Sequence, residues 1–254
     1  KIHPTSLVSK NAELGENVTV GPFSIIEDDV SIGDGTSVGN YSSIMSGTKI
    51  GTNCKIFHNC TIGEIPQDLK FGGEKTSVSI GNNVTIRESV TINRGTAAHG
   101  TTEIGDNILL MAYVHIAHDC IIGNNVVLAN LVTLGGHVEV HEWSSLGGGV
   151  LVHQFCKVGS HSFIGGGYRI VQDVPPYILA AKDPLEYSGI NRTGLKRRGF
   201  SLKDRNTIKR FYQYYFRSKL SRLEALKKAE HELSDDPIIK EIIEFIRSSE
   251  RGII

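Results

Sequence analysis

Neither sign of charge prevails in this chain: lysine plus arginine and aspartate plus glutamate each number 27 in 254 residues. A balanced chain has no global field drawing it to nucleic acid or to a membrane surface, although a local patch stays open. Long apolar runs are missing too. No stretch approaches the roughly 18 uninterrupted apolar residues that a spanning helix requires. The opening KIHPTSLVSKNAELG lacks the apolar centre of a signal peptide. A soluble cytoplasmic protein is therefore expected, with no nucleic-acid partner and no transmembrane segment. Proline is scarce at 7 and glycine abundant at 28, which implies many turns without low complexity. A chain of this length can bury a real core, in one large domain or two modest ones.

What the sequence does have is a six-residue clock. Stepping by six from Ile2 to Ile170 meets 29 positions, and 26 of them carry Ile, Val or Leu. Those residues make up roughly a quarter of the chain, so chance would supply about seven. The exceptions, Asp68, Glu74 and Ala98, fall inside IPQDLKFGGEKTS and GTAAHGTTE, and the clock resumes in phase after each. These stretches, near residues 65–78 and 95–103, are expected to be loops thrown out from a regular stack, where function often resides. Glycine commonly follows the clock residue, as at Gly33, Gly147 and Gly159, and a repeated corner is expected to use its freedom at positive φ. Period six fits short strands separated by turns. Such strands wind into a three-faced prism with parallel strands stacked about 4.8 Å apart, so that residues 18 apart lie above one another.

The clock also places the cysteines. Cys54, Cys60, Cys120 and Cys156 each fall four after a clock site, a second inward position that takes small or β-branched side chains. Buried thiols without disulfides are expected, which agrees with a reducing compartment. From Ser201 the period changes. SLKDRNTIKRFYQYYFRSKL, SRLEALKKAEHELS and DPIIKEIIEFIRSSERG space apolar residues three and four apart, which predicts three helices. The expected organisation is a stack over residues 1–174, a linker over 175–200 that begins at Pro175-Pro176, and a helical domain over 201–254.

No histidine occupies an inward clock position, so the imidazoles face outward or into a cleft. For His3, His58, His99, His141 and His161 simple surface exposure is weighed against a cleft. HIAHDC, LGGHVEV and LVHQFC behave differently, because the 18-residue spacing puts them on adjacent coils. His115, His118, His137 and His153 then gather, and Gly136 falls beside His118, in a candidate catalytic cleft. Spacing leaves two chemistries open. Histidines can hold a catalytic zinc through three protein ligands and an open position, or one can act as a general base near neutral pH.

The repeat resembles the hexapeptide-repeat proteins, which form left-handed parallel β-helices; general topology would have favoured a right-handed crossover. More narrowly, IGEIPQDLK, IRESVTINRGT, HIAHDCIIGN, GGHVEV, VHQFCKVG, QDVPPY and GLKRRGFS, in that order, resemble the UDP-N-acetylglucosamine 3-O-acyltransferases of lipid A biosynthesis. This resemblance implies an all-β left-handed parallel β-helix followed by a small α-helical C-terminal domain. It implies transfer of an (R)-3-hydroxyacyl chain from acyl carrier protein to the glucosamine 3-position of a UDP-sugar nucleotide, with no cofactor and no metal, in a homotrimer whose sites lie between subunits. His118 becomes the general base and Gly136 the backbone oxyanion donor. Asp119 orients His118, although adjacent strand residues point apart and only a local bend lets them meet.

Gln67, Asp68, Lys70, His115, His137, His153 and Gln154 are implied contacts to the sugar, its phosphates or the pantetheine arm. Asn191, Arg197 and Arg198 are implied to hold the nucleotide end. The run Lys196, Arg197 and Arg198, followed by Arg205, Lys209, Arg210 and Arg217, reads either as a solvated charge cluster or as a basic stretch suited to steering acidic acyl carrier protein. Gly166 occupies the position that limits acyl length; lacking a side chain, it leaves the groove open for a chain of about 14 carbons. Asn93, Lys182, Asp183 and Thr193 depart from the family pattern, which leaves open whether the acceptor carries a 3-hydroxyl or a 3-amino group. The rival readings are a zinc-dependent hydratase on the same fold and a noncatalytic β-helical scaffold.

Overall fold

Most clock residues end a short strand with the side chain inward, and the chain turns directly after them. The pattern is plain in Ser31–Ile32, Ser37–Val38 and Ser43–Ile44, where the first residue is half-buried and the second is buried. Two-residue alternation sends the hydroxyl out and the branched apolar chain in. Three strands complete one coil. Leu7 therefore lies opposite Ile25, and Ile25 opposite Ser43, in parallel pairs. The coils build three sheets of nine, eight and ten strands, the faces of the prism. This computed structural model describes residues 1–233 and 236–254; Ser234, the far end of the second helical stretch, lies outside them.

Two loops interrupt the stack without dephasing it. Thr61 pairs with Thr91, 30 residues on, and Thr91 pairs with His115, 24 residues on. Against a coil of 18 these are insertions of 12 and 6, both whole multiples of the clock. That is why two clock positions fail in the first loop and one in the second, and the clock resumes in phase at Ile80 and at Ile104.

Backbone of positive φ sits three residues after the clock residue, at Asn17, Asn53 and Asn125 but also at Phe23, Trp143 and His161. Asparagine tolerates that left-handed corner at low cost, and bulkier residues are held there by the stacked coils. The expectation that the glycine after each clock residue supplies this φ is therefore wrong for most of them. Gly33 and Gly159 lie outside the left-handed region and are required by close approach instead. A Cβ on Gly33 would sit 2.8 Å from the carbonyl carbon of Gly51, and one on Gly159 would sit 2.5 Å from the nitrogen of Pro176.

Inside the prism the clock residues form the main apolar column, with Ile44, Ile62, Ile92 and Ile116 fully buried. The second inward column is small and partly polar, and most of its hydroxyls are satisfied, the buried Thr48 hydroxyl being an exception. Thr36 donates to the Gly51 carbonyl at 2.8 Å, Ser42 to Phe57 at 2.9 Å and Ser144 to Gly159 at 2.7 Å. The cysteines do the same work as weak donors: Cys54 Sγ lies 3.2 Å from the Gly81 carbonyl and Cys60 Sγ 3.1 Å from that of Arg87. All four are buried and free. Burial pushes the Cys60 thiol up to about 11 and the Cys120 thiol up to about 12, so neither forms a thiolate at neutral pH.

The stretch 175–200, expected as a linker, is folded. Strand Ile178–Ala181 pairs in parallel with Phe163–Ile164 and antiparallel with Glu186–Ile190, extending the ten-stranded sheet. The Pro175-Pro176 pair hides this continuation in the sequence, because proline reads as a stop. Four helices follow: α1 (Arg192–Arg197), α2 (Leu202–Arg217), α3 (Arg222–Leu233) and α4 (Pro237–Arg247). Ser201 and Asp204 close a capping box on α2, and Asp236 caps α4 ahead of Pro237. Phe211 and Tyr212 bury completely, with Tyr212 Oη donating to the Pro176 carbonyl at 2.6 Å. Glu241 of α4 accepts from the Ser160 and Tyr177 hydroxyls, fastening the helices to the last coils. No helix among the described residues is long and apolar enough to cross a membrane.

Candidate active site

One corner of the prism, between the nine- and eight-stranded sheets, carries most of the residues that the sequence singled out. After strand His115–Ile116 the chain turns through Ala117, His118 and Asp119, with Asp119 at φ 58°. This left-handed corner is the local bend that the dyad needs: His118 Nδ1 lies 2.8 Å from Asp119 Oδ2. One coil on come Gly135, Gly136 and His137, and another coil on come His153, Gln154 and Phe155. His137 N–H donates to the His118 carbonyl at 3.0 Å, and Phe155 N–H to that of Gly136 at 3.0 Å, which locks the three corners in register.

Asp119 is buried, and both its oxygens are engaged. Oδ1 accepts from the Thr96 N–H at 2.8 Å, and Oδ2 accepts from the Thr96 hydroxyl at 2.7 Å. Burial works to raise its carboxyl, but the hydrogen bonds from Thr96 and His118 and the nearby His137 outweigh it, and the carboxyl titrates below the ordinary aspartate value. An ionised Asp119 fixes the proton of His118 on Nδ1 and leaves Nε2 as the lone-pair nitrogen. The His137 ring stands edge-on to His118 at 5.1 Å and is stacked on Phe155 at 4.4 Å. Burial lowers the His137 imidazole, against the pull of Asp119.

Gly136 has no room for a side chain: a Cβ there would lie 2.5 Å from His118 Cε1. Its buried N–H meets no acceptor among the described residues, so a donor stands free beside the imidazole. Side-chain atoms of His118, Asp119 and His137 approach within 4.8 Å of one another, close enough to consider a cation. Asp119 already accepts hydrogen bonds from Thr96 and His118, so its carboxylate is engaged without a cation.

The two loops close over this corner. Glu74 accepts from the Ala97 N–H at 3.1 Å, which ties the first loop to the second beside Thr96. Asp68 accepts from the Lys70 N–H at 2.9 Å, and its charge reaches His137. Gln67 and Lys70 are exposed on the same loop. Asn93 roots that loop by donating to the Ile65 carbonyl at 2.9 Å, while its Oδ1 has no partner. His115, on the outer face of its strand, is half-buried against Thr91 at 2.8 Å, and burial lowers its imidazole. His153 and Gln154 are exposed, with Arg251 from the tail reaching His153 Nδ1.

The remaining candidates lie elsewhere. Asn191, Arg197 and Arg198 line a cavity of about 510 Å³ over the ten-stranded sheet, with Phe163 and Leu179 as its apolar wall. Thr193 also lines it, whereas Lys182 pairs with Glu186 at 2.9 Å. Gly166 sits at the corner between the ten- and nine-stranded sheets. There Gly147 to Gly149 and Gly165 to Gly167 face each other from successive coils and leave a bare strip. Of the basic stretch, Arg210 is paired with Glu232 at 2.5 Å and Arg217 lies 5.6 Å over the Tyr187 ring. One chain therefore does not bring the His118 corner, the glycine strip and the nucleotide-end cavity together.

The sequence missed Thr96, Glu74 and Phe155. Phe155 was within reach, since it follows His137 by one 18-residue coil; Thr96 and Glu74 belong to loops outside the clock and carry no periodic signal. His161, weighed as a surface residue, is buried.

A left-handed β-helix of hexapeptide coils with a histidine–aspartate dyad at a corner defines a hexapeptide-repeat acyltransferase. Residues 11–44, 29–64 and 101–136 match the bacterial transferase hexapeptide family, and residues 173–254 match domain 2 of UDP-N-acetylglucosamine O-acyltransferase. An acyl-[acyl-carrier-protein]–UDP-N-acetylglucosamine O-acyltransferase from Thermodesulfovibrio yellowstonii is 49% identical over 254 residues, covering 100% of this chain and 98% of the relative. One of the same name from Sulfurihydrogenibium is 52% identical over 254 residues, covering 100% and 94%. The crystal structure of a UDP-N-acetylglucosamine acyltransferase from Bacteroides fragilis superposes with a TM-score of 0.98 at 45% identity, over 100% of both chains. The chain belongs to the acyl-[acyl-carrier-protein]–UDP-N-acetylglucosamine O-acyltransferase family.

Proposed function

We propose that this enzyme moves an (R)-3-hydroxyacyl chain from the thioester of acyl carrier protein to the 3-hydroxyl of UDP-N-acetylglucosamine, the first step of lipid A synthesis. The observation that carries the mechanism is the His118–Asp119 contact beside the free Gly136 N–H. His118 Nε2 takes the proton of the sugar hydroxyl as its oxygen attacks the thioester carbonyl, because a neutral alcohol is a poor nucleophile. The charge that develops on the carbonyl oxygen is held by Gly136 N–H, a donor whose loss typically costs about 3 kcal/mol of barrier. When the tetrahedral intermediate collapses, the C–S bond breaks and the pantetheine thiolate takes the proton from the His118 imidazolium. Asp119 holds the imidazole in the required tautomer and stabilises its cation.

Gln67, Asp68, Lys70, His115, His137, His153 and Gln154 surround the reacting sugar and pantetheine, and Asn191, Arg197 and Arg198 take the nucleotide. The β-helix, its continuation through strand Glu186–Ile190 and the helical region that begins at Arg192 organise these roles. The working state is a cytoplasmic homotrimer. Its support is the separation of the His118 corner from the nucleotide-end cavity, which lie on different faces of one chain. The bare strip around Gly166 supports an acyl chain of about 14 carbons in that groove. Incubation with acyl carrier protein charged with hydroxyacyl chains of ten to eighteen carbons tests the reading. The expected product is a mono-acylated UDP-N-acetylglucosamine with an ester at the 3-position, formed fastest near 14 carbons. Preference for ten carbons would sink the length assignment, and exclusive turnover of a 3-amino sugar nucleotide would sink the acceptor.

A further inference from the structure

Two residues of the nucleotide-end cavity are held by a histidine that the proposed chemistry leaves unused. His161 sits three residues after Val158, at a left-handed corner with φ 57°. The residue is buried, with 9% of its surface exposed. The ring is stacked between Trp143, at a centroid distance of 6.2 Å and an angle of 8°, and Tyr177, at 5.3 Å and 11°. Phe200 closes the edge at 4.9 Å. The stack is the corner column of the last coils, turned aromatic.

From this column both nucleotide-end residues are fixed. The His161 carbonyl accepts from Asn191 Nδ2 at 2.8 Å, and the Tyr177 carbonyl accepts from the Asn191 N–H at 2.7 Å. His161 Nδ1 lies 3.3 Å from Arg198 Nη1, and the Arg198 guanidinium lies 5.2 Å over the Trp143 ring. A guanidinium can only donate, so Nδ1 must be the bare nitrogen and the proton must sit on Nε2. Burial, and then the Arg198 charge, push the imidazole down to about 4, which keeps that lone pair available at neutral pH. A free arginine would lose rotamer freedom on meeting an anion. One already clamped between Trp143 and His161 has less to lose.

We propose that His161 is a positioning residue for nucleotide recognition: through Nδ1 it presets Arg198 toward the diphosphate of the UDP-sugar. The inference rests on the reading that Arg198 meets the nucleotide. His161 does not touch the His118 corner, so it affects nucleotide affinity and not the acyl-transfer step.

Two substitutions separate positioning from packing. His161→Leu removes both the ring stack and the acceptor. His161→Asn removes the stack but offers an amide oxygen near the place of Nδ1. Calorimetric binding of UDP, steady-state kinetics and thermal melting are measured for both, with Arg198→Met alongside. His161→Leu is expected to weaken UDP binding and raise KM for the UDP-sugar by about tenfold. Its kcat and its KM for the acyl donor should stay within about twofold of the native values. His161→Asn loses the stack but suits the left-handed corner, so it should melt below the native enzyme yet bind UDP within about threefold of it. Equal weakening in both variants would reduce His161 to packing and overturn the proposal, as would native affinity in the leucine variant. If Arg198→Met itself binds UDP normally, the underlying assignment of Arg198 is what fails.

Discussion

Asp119 illustrates how much one backbone angle can decide. In a strand its side chain would point away from that of His118. At φ 58° the two meet at 2.8 Å, and Thr96 anchors the carboxylate from behind. Asp119→Asn should leave the fold intact and lower kcat by about a hundredfold or more, because the neutral amide no longer stabilises the imidazolium. Steady-state rates beside melting curves check this, and an unchanged kcat would remove Asp119 from the mechanism. Gly136→Ala is expected to abolish most activity by a different route. It keeps the N–H but drives a methyl into His118, 2.5 Å from Cε1.

His161 makes a separate prediction at this scale. Its folded imidazole titrates at about 4, against 6.5 in the unfolded chain. Between those values the unfolded chain binds the extra proton. Stability contributed by the neutral ring is therefore fully present above pH 6.5 and is lost as pH falls toward 4, by at most about 3 kcal/mol. Asp119, held below its ordinary value, likewise contributes stability at neutral pH that is lost as acid protonates it in the folded state. Urea unfolding of native and His161→Asn protein between pH 7 and 4.5 should show a steeper loss in the native protein; parallel curves would contradict the assignment.

At the scale of the coil, the glycines that follow clock residues are governed by distance. A methyl on Gly123 would come within 2.7 Å of the Glu142 nitrogen, while one on Gly72 in the first loop meets only the Glu74 carboxylate at 3.5 Å. Gly123→Ala should cost about 1–3 kcal/mol through overpacking, and Gly72→Ala within about 0.5 kcal/mol. Chemical unfolding compares the two directly. The coils were legible because every buried position repeats, from Ile44 to Ile164, and because even the insertions of 12 and 6 residues preserve the phase. The gathering of His118, Gly136 and His137 followed from the same 18-residue step. What the period could not carry was left-handed corner geometry, the loop contacts of Thr96 and Glu74, and the strand that continues past Pro175-Pro176. Each of these depends on backbone direction or on segments outside the clock.

At the scale of the whole molecule, the His118 corner and the nucleotide-end cavity lie on different faces, and the proposed assembly would join them across neighbouring copies. Chains carrying His118→Ala and chains carrying Arg198→Ala should each be nearly inactive alone. Unfolded, mixed and refolded together, they should regain activity, since one interface in the mixed assembly combines an intact His118 with an intact Arg198. No recovery would contradict a shared site.

The most direct measurement is acyl transfer from 3-hydroxymyristoyl-acyl carrier protein to UDP-N-acetylglucosamine, run side by side for the native enzyme and for His118→Ala. Turnover is expected from the native chain, with its loss in a variant that keeps the fold and the assembly. Turnover that survives the substitution would contradict the role given to His118, and a native chain that transfers no acyl group to this sugar nucleotide would contradict the proposed function itself.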